Sequence, residues 1–337
     1  MKKAELPAYF STLNKGKITL YIKKEYEHKL SAQDIDTLFN LYKDAPDRPY
    51  YSRQNNAHPA TPFGRVGQIG RSELSVSYHG RTPCKNLIMK SLNNESFVVR
   101  DYWHGGLFGK ILRDLFWQTL RPLRELSICE VASKSGINTT EVIAIVKNNI
   151  IGPLYKCQLV SKEISNAIDL IELLLHPENS HLLVRKRQII SKLAKAIKDM
   201  HDAGIYHADL HLKNILIQST EGGSINVYII DLDKSKQYEK IGLHRRMKNI
   251  MRLDRSLEKF RRNVSNRKDL HESYQFPLTN ADKMRFLREY IKLSYKSEQH
   301  SSGGQKEFLK SCLMNYRTTH KLHRLWWHLT EDRRQKF

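Results

Sequence analysis

The apolar residues of this chain change their spacing partway along it, and that change limits the folds open to it. "LSVSYH" (Leu74–His79) alternates with period two. "NLIMKSL" and "SFVVRDY" are short runs with β-branched or aromatic content, separated by the turn cluster "NNE". "EVIAIVKNNI" and "GPLYKCQLVSK" read as further strands. One helix, "RPLRELSICEVASKSG" (Arg121–Gly136), interrupts them, with Pro122 in its first turn and Gly136 at its C-terminal end. From Leu182 onward the spacing is helical. Ile189, Ile190, Leu193, Ile197 and Met200 share one face, and Gly204 ends that helix. A strand-rich half followed by a helix-rich half predicts an α+β fold with two lobes, and a cleft between lobes is where ligands sit.

Length and composition are compatible with this. A chain of 337 residues with 40% hydrophobic and 27% charged residues can bury a substantial core. The four cysteines (Cys84, Cys129, Cys157, Cys312) are far apart and form no CxxC pair, which argues against a disulfide framework or a zinc site. No apolar run follows the two N-terminal lysines, and none reaches the roughly 18 residues of a spanning helix. The expectation is therefore a cytoplasmic protein. A net charge of +22 calls for a polyanionic partner: nucleic acid, a nucleotide or an anionic membrane surface.

Chemistry concentrates in "YHADLHLKNILIQ" (Tyr206–Gln218) and "VYIIDLDKS" (Val227–Ser235). Asp209 lies in a loop after the long helix, Asn214 enters the strand "ILIQ", and Asp231 closes the partner strand across the turn "EGGS". Hairpin pairing brings Asn214 and Asp231 close. An amide carbonyl and a carboxylate are hard oxygen ligands suited to Mg²⁺ that also holds phosphates. Asp209 stands apart, placed to accept a proton from an attacking hydroxyl. Asp and Asn are also ordinary turn and cap residues. His207 before the Asp, the apolar strand after the Asn and the hairpin-closing "IIDLD" favour phosphoryl transfer. His207 reads as a brace for the loop, because Asp209 already supplies the base.

"HADLHLKN" resembles the H-R-D-x-x-x-x-N catalytic loop of protein kinases, and "DLD" resembles their D-F-G. Ala208 replaces the Arg that in many protein kinases answers a phosphorylated activation loop, so such control is not expected. Asp233 replaces the Gly. Together with "GRSELSVSYHG", "FVVRDYWHGGLFGKILRD", "RPLREL" and "RRMKNIMRLDRSLEK", these segments are similar to the bacterial lipopolysaccharide kinase family from about Gly64 to Lys259. The resemblance implies a two-lobed protein-kinase-like fold. It places an N-terminal extension of unknown role at 1–63, a nucleotide-holding N-lobe at 64–160, and a helical C-lobe with a basic C-terminal extension at 161–337.

The resemblance also implies roles for particular residues. Gly70, Arg71 and Ser72 would form the turn over the nucleotide phosphates, although a plain hairpin turn reads the same way. Arg100 would be the phosphate-binding cation at the end of its strand, and Glu125 its acidic partner on the following helix. Val160–Glu163 would be the hinge that holds adenine. ATP and Mg²⁺ are the implied cofactors. The implied reaction is phosphorylation of a hydroxyl, the 4-hydroxyl, of 3-deoxy-D-manno-octulosonic acid (Kdo) in a lipid A precursor. A heptose kinase of the lipopolysaccharide core is the rival within the family.

Such an acceptor is a lipid-linked acidic sugar, which suits a basic protein at the cytoplasmic face of the inner membrane. Lys240–Lys268 holds eleven Lys and Arg against two acids, and its apolar residues repeat at three and four. That pattern predicts an amphipathic helix with a basic face for anionic lipid. "KLHRLWWHLTEDRRQKF" at the C-terminal end repeats the theme with Trp326 and Trp327. A non-catalytic, nucleic-acid-binding protein of kinase-like fold is the alternative of another class, but no nucleic-acid-binding motif supports it.

Overall fold

The computed structural model describes residues 5–42, 74–78, 84–104, 114–117, 121–176, 179–265, 274–297 and scattered positions between 310 and 318. Gly70, Arg71, Ser72, Gly105, Gly106, Trp326 and Trp327 lie outside the described residues. Contacts divide the chain into two compact units, residues 1–127 with 140–164 and residues 128–139 with 165–337. The first is rich in strand and the second in helix, which matches the α+β expectation.

The first unit is built on an antiparallel sheet. Its strands are β1 (Phe10–Lys15), β2 (Ile18–Lys23), β3 (Leu74–Tyr78), β4 (Cys84–Met89), β5 (Glu95–Asp101), β6 (Phe116–Trp117), β7 (Val142–Ile151) and β8 (Leu154–Lys162). Their order is β1-β2-β7-β8-β5-β4-β3, with β6 paired to the end of β8. Val142–Val146 is a continuous buried run rather than an alternating one, as expected of a strand covered on both faces.

The structure differs from the sequence expectation at the N-terminus. Residues 10–42 are an integral part of this unit rather than a separate extension. β2 pairs with β7 from Ile18↔Asn148 to Ile22↔Ala144. Helix α1 (Ala32–Asn40) is capped by Ser31, whose Oγ accepts from the Asp34 N–H at 3.1 Å. Leu20, Ile22, Leu38 and Phe39 share one core with Leu87, Phe97 and Val146. Asp34 ties the helix start to the β4–β5 connection by accepting from the Ser91 N–H at 3.2 Å and from the Ser91 hydroxyl.

The second unit contains the three-stranded sheet β12-β11-β9 (Ile225–Ile229, Ile215–Ser219, Ala167–Asp169) and the pair β10 (Ile205–Tyr206) with β13 (Lys236–Gln237). Its described helices include the C-terminal part of α2 (Arg121–Lys134), α3 (Leu170–Leu175), α4 (Lys186–Asp202), α5 (Leu243–Ser265) and α6 (Asn280–Ser297). The buried stripe of α4 is Ile189, Ile190, Leu193, Ile197 and Met200, the face read from the sequence. Gly204 follows α4 at φ +75°, and a Cβ there would lie 1.9 Å from the Tyr238 carbonyl oxygen. Its own carbonyl accepts from the Tyr238 N–H at 2.8 Å. Only glycine satisfies both the left-handed backbone and this approach.

Leu38 is fully buried among strands contributed by later parts of the chain. Leu38→Ala is expected to destabilise the strand-rich unit by about 2–5 kcal/mol, read as a lower urea midpoint. A change of only a few tenths would mean that the N-terminal segment packs loosely.

Candidate functional site

The loop between β10 and β11 is held by buried polar groups, and it leaves one carboxylate outside. His207 is fully buried. Its Nδ1 accepts from the Asp209 N–H at 3.0 Å, so its proton sits on Nε2, which donates to the Ile230 carbonyl at 3.0 Å. Burial pushes its pKa down. A neutral imidazole with both nitrogens engaged braces the loop, as the sequence suggested, and is not placed to act as a base. Asn249 on α5 completes the hold. Its Oδ1 accepts from the His207 N–H at 3.2 Å and its Nδ2 donates to the His207 carbonyl at 2.8 Å. The same Oδ1 accepts from His201 Nε2 at 3.1 Å, while Tyr290 donates to His201 Nδ1 at 2.7 Å. His201 is buried, and desolvation pushes its pKa down to about 3.

Asp209 projects from this braced backbone with its side chain 57% exposed. Arg252 Nη1 lies 3.4 Å from Oδ1 and His211 Nε2 lies 3.5 Å from Oδ2. Arg252 also donates to the Ala208 carbonyl. The carboxylate is thereby oriented from two sides while remaining open to solvent.

Asn214 and Asp231 are brought together by strand pairing. Ile215 faces Ile229 in the β11–β12 register, and the Ile230 N–H donates to the Asn214 carbonyl at 3.0 Å. Asp231 follows directly, at φ +59°. The buried Asn214 donates through Nδ2 to the Asp209 carbonyl at 2.9 Å, which leaves Oδ1 as its remaining donor atom for a cation. Among the described residues there is no cluster of three His, Cys, Asp or Glu that could hold a metal. An amide oxygen plus one carboxylate fits Mg²⁺, which takes one or two protein carboxylates and completes its shell with phosphates and water.

In the first unit, Arg100 on β5 pairs with the buried Glu125 on α2. Tyr102 also donates to Glu125 Oε2, and Arg100 Nη2 lies 3.2 Å from the Tyr102 hydroxyl. The guanidinium lies 5.1 Å from the Tyr102 ring centre, and the side chain keeps 23% exposure. An acidic anchor and partial exposure suit a planar guanidinium to meeting an anion. At the expected hinge, the N–H groups of Lys162 and Glu163 donate to the Glu141 and Ser96 carbonyls at 2.9 and 3.0 Å. Those two donors are therefore engaged within the protein.

The motif reading missed Asn249, Arg252 and Tyr102. Arg252 and Asn249 both lie in "RRMKNIMRLDRSLEK", so the segment had a signal but their contacts did not. They act across 42 to 44 residues of sequence.

The model of the Lipopolysaccharide kinase (Kdo/WaaP) family matches residues 84–290. That span contains Arg100, Glu125, Asp209, Asn214, Asp231 and Arg252, and it excludes Gly70, Arg71 and Ser72. A 3-deoxy-D-manno-octulosonic acid kinase of Vibrio cholerae is 37% identical over 167 residues, 48% of this chain and 65% of that protein. The protein of the same name from Haemophilus influenzae is 30% identical over 48% of this chain and 66% of its own length. That from Pasteurella multocida is 27% identical over 61% and 84%. The chain thus covers just under two thirds of the first two relatives. The solved structure of WaaP in complex with acyl carrier protein aligns at 16% identity with a TM-score of 0.43, over 73% of this chain and 89% of that one.

The buried histidines carry a pH signature. Both have folded pKa values below the unfolded value of about 6.5, so their stabilisation is complete above that pH. As pH falls below it, the unfolded chain takes up protons that the folded chain refuses. Each histidine then removes up to about 1.4 kcal/mol per pH unit. Urea midpoints are expected to fall between pH 7 and 5, with the ¹⁵N signals of His201 still reporting a neutral imidazole at pH 5. A flat profile, or a doubly protonated His201 at pH 5, would contradict the assignment.

Proposed function

Because the chain belongs to the lipopolysaccharide kinase (Kdo/WaaP) family, we propose that it transfers the γ-phosphoryl group of ATP to a hydroxyl, the 4-hydroxyl, of Kdo in a Kdo–lipid A precursor. The observation that carries this reading is the braced loop: one open carboxylate, Asp209, five residues before an Asn that pairs across the hairpin beside Asp231. The name shared by the three relatives favours Kdo over heptose as the acceptor sugar.

In this reading the acceptor hydroxyl gives its proton to Asp209 as its oxygen bonds to the γ-phosphorus. The bond from that phosphorus to the β–γ bridging oxygen breaks, and ADP leaves. Arg252 and His211 hold the two carboxylate oxygens so that one lone pair faces the hydroxyl. Asn214 and Asp231 hold Mg²⁺, which when bound neutralises phosphate charge. Arg100, anchored by Glu125 and Tyr102, contacts nucleotide phosphate. Gly70, Arg71 and Ser72 are proposed to cover the phosphates from the segment before β3.

Attachment to an anionic inner-membrane surface is part of the proposal. No described helix is long and apolar enough to cross a membrane. On α5, Met247, Ile250, Leu253, Leu257 and Val264 are buried, so this stripe belongs to the core. Beyond the stripe, Lys259 and Arg262 remain exposed. Contact with lipid would therefore be electrostatic along this helix.

Incubation of purified Kdo–lipid A precursor and of heptose-containing core with protein, ATP and Mg²⁺, read by mass spectrometry, tests activity and acceptor together. Phosphorylation of the Kdo precursor is expected, and transfer to heptose alone would replace this reading. Asp209→Asn is expected to lower kcat by about 10²–10⁴ while calorimetric ATP–Mg²⁺ affinity stays near wild type. Intact turnover would remove Asp209 from the base role. The protein is also expected to sediment with anionic vesicles and not neutral ones, with salt weakening the association. Equal sedimentation with both would exclude electrostatic attachment.

A further inference from the structure

The loop carrying Asp209 forms one wall of an open pocket of about 280 Å³ in the second unit. Ala208, the residue before Asp209, lines it together with Tyr206 of β10 and Tyr238 beyond β13. The remaining lining is cationic: Lys234, Lys236, Arg245 and Lys248. No Asp or Glu lines the pocket, and all four cations are exposed. None of them has an ion-pair partner among the described residues. Several other cations of the unit are compensated, as in Lys198–Asp202, Arg246–Asp202 and Lys283–Asp254. The Arg245 guanidinium lies 4.4 Å from the Tyr238 ring centre.

Four uncompensated like charges around one small concavity repel one another, and an anion in their midst turns that repulsion into attraction. The pocket is also fixed to the reacting loop. Ser235, in the turn that carries Lys234 and Lys236, accepts from the Ala208 N–H at 3.3 Å. On α5, Lys248 lies one helical turn before Arg252, which contacts both Ala208 and Asp209. At 1.5 Å per residue, the Lys248 and Arg245 backbones are about 6 and 10 Å along the helix from that of Arg252. This is the scale of the separation between a sugar hydroxyl and a charged substituent on the same or the neighbouring ring.

We propose that this pocket is the acceptor's anion subsite, binding a carboxylate or phosphate of the glycolipid while a hydroxyl on the same molecule meets Asp209. The assignment rests on the kinase reading above and gives that reading a recognition element. The pocket serves the acceptor and not the nucleotide, so its charge sets acceptor KM and leaves ATP KM unchanged.

The test is a Lys236→Gln/Lys248→Gln double variant, with Lys192→Gln on the exposed face of α4 as a charge-matched control. At saturating ATP, the double variant is expected to raise KM for the Kdo–lipid A precursor by about tenfold or more, the loss of charge-assisted contacts. ATP KM should stay within about twofold, because no nucleotide contact is removed. The control should behave as wild type. Repeating the measurement with a dephosphorylated precursor and with one whose Kdo carboxyl is amidated identifies the anion: the arm in which wild type and variant converge carries the recognised group. Unchanged acceptor KM, a matching rise in ATP KM, or a gap that persists in both arms overturns the proposal.

If wild-type protein phosphorylates no lipid acceptor, the kinase reading fails, and the pocket is judged alone by titrating inorganic phosphate. Saturable shifts of the Ala208 and Lys248 amides in wild type that vanish in the double variant keep an anion site. Their absence in wild type removes it.

Discussion

One carboxamide fixes the conformation on which the candidate site depends. Asn249 uses its oxygen and its nitrogen to hold the N–H and the carbonyl of His207, and the same oxygen accepts a hydrogen bond from His201 Nε2. His207 in turn holds the Asp209 N–H and the end of β12. Four segments are thereby joined through groups that have no water to fall back on. A buried donor or acceptor left without a partner costs about 1–3 kcal/mol, so the network is all-or-none in character. Rigidity of this kind lets a solvent-exposed aspartate keep one orientation.

Some cations of the second unit answer carboxylates: Arg246 is buried against Asp202, and Lys283 bridges Asp254 and Glu258. Those pairs contribute packing and register. Around Ala208 the cations answer nothing within the described chain. Part of the net charge of +22 is gathered at one concavity next to the exposed Asp209 carboxylate.

Local pattern was enough for much of this. The β11–β12 hairpin, the helical stripe of α4 and the D-x4-N spacing are all encoded by neighbours within a few residues, and the structure has each element where the pattern puts it. Arg100 and Glu125 are 25 residues apart, and their contact could be named only through a family resemblance. Asn249, Arg252 and the cations around Ala208 lie more than 25 residues along the chain from that residue, a distance periodicity cannot join. β1 and β2 were legible in principle, because "ITLYIK" is rich in β-branched residues, yet their membership in the main sheet depends on pairing with β7, more than 120 residues away.

Gly204 shows how narrowly such an arrangement can be tied to the genetic code. Every missense change reachable from a glycine codon by one base adds a Cβ, and here that atom meets the Tyr238 carbonyl oxygen at 1.9 Å. The strand that would have to yield is the one leading out of the cationic pocket, and the helix that would have to yield carries His201. Position 204 therefore has no neutral missense neighbour in sequence space. Alleles that lose their fold on warming should accumulate at this codon, although its residue carries no chemistry of its own.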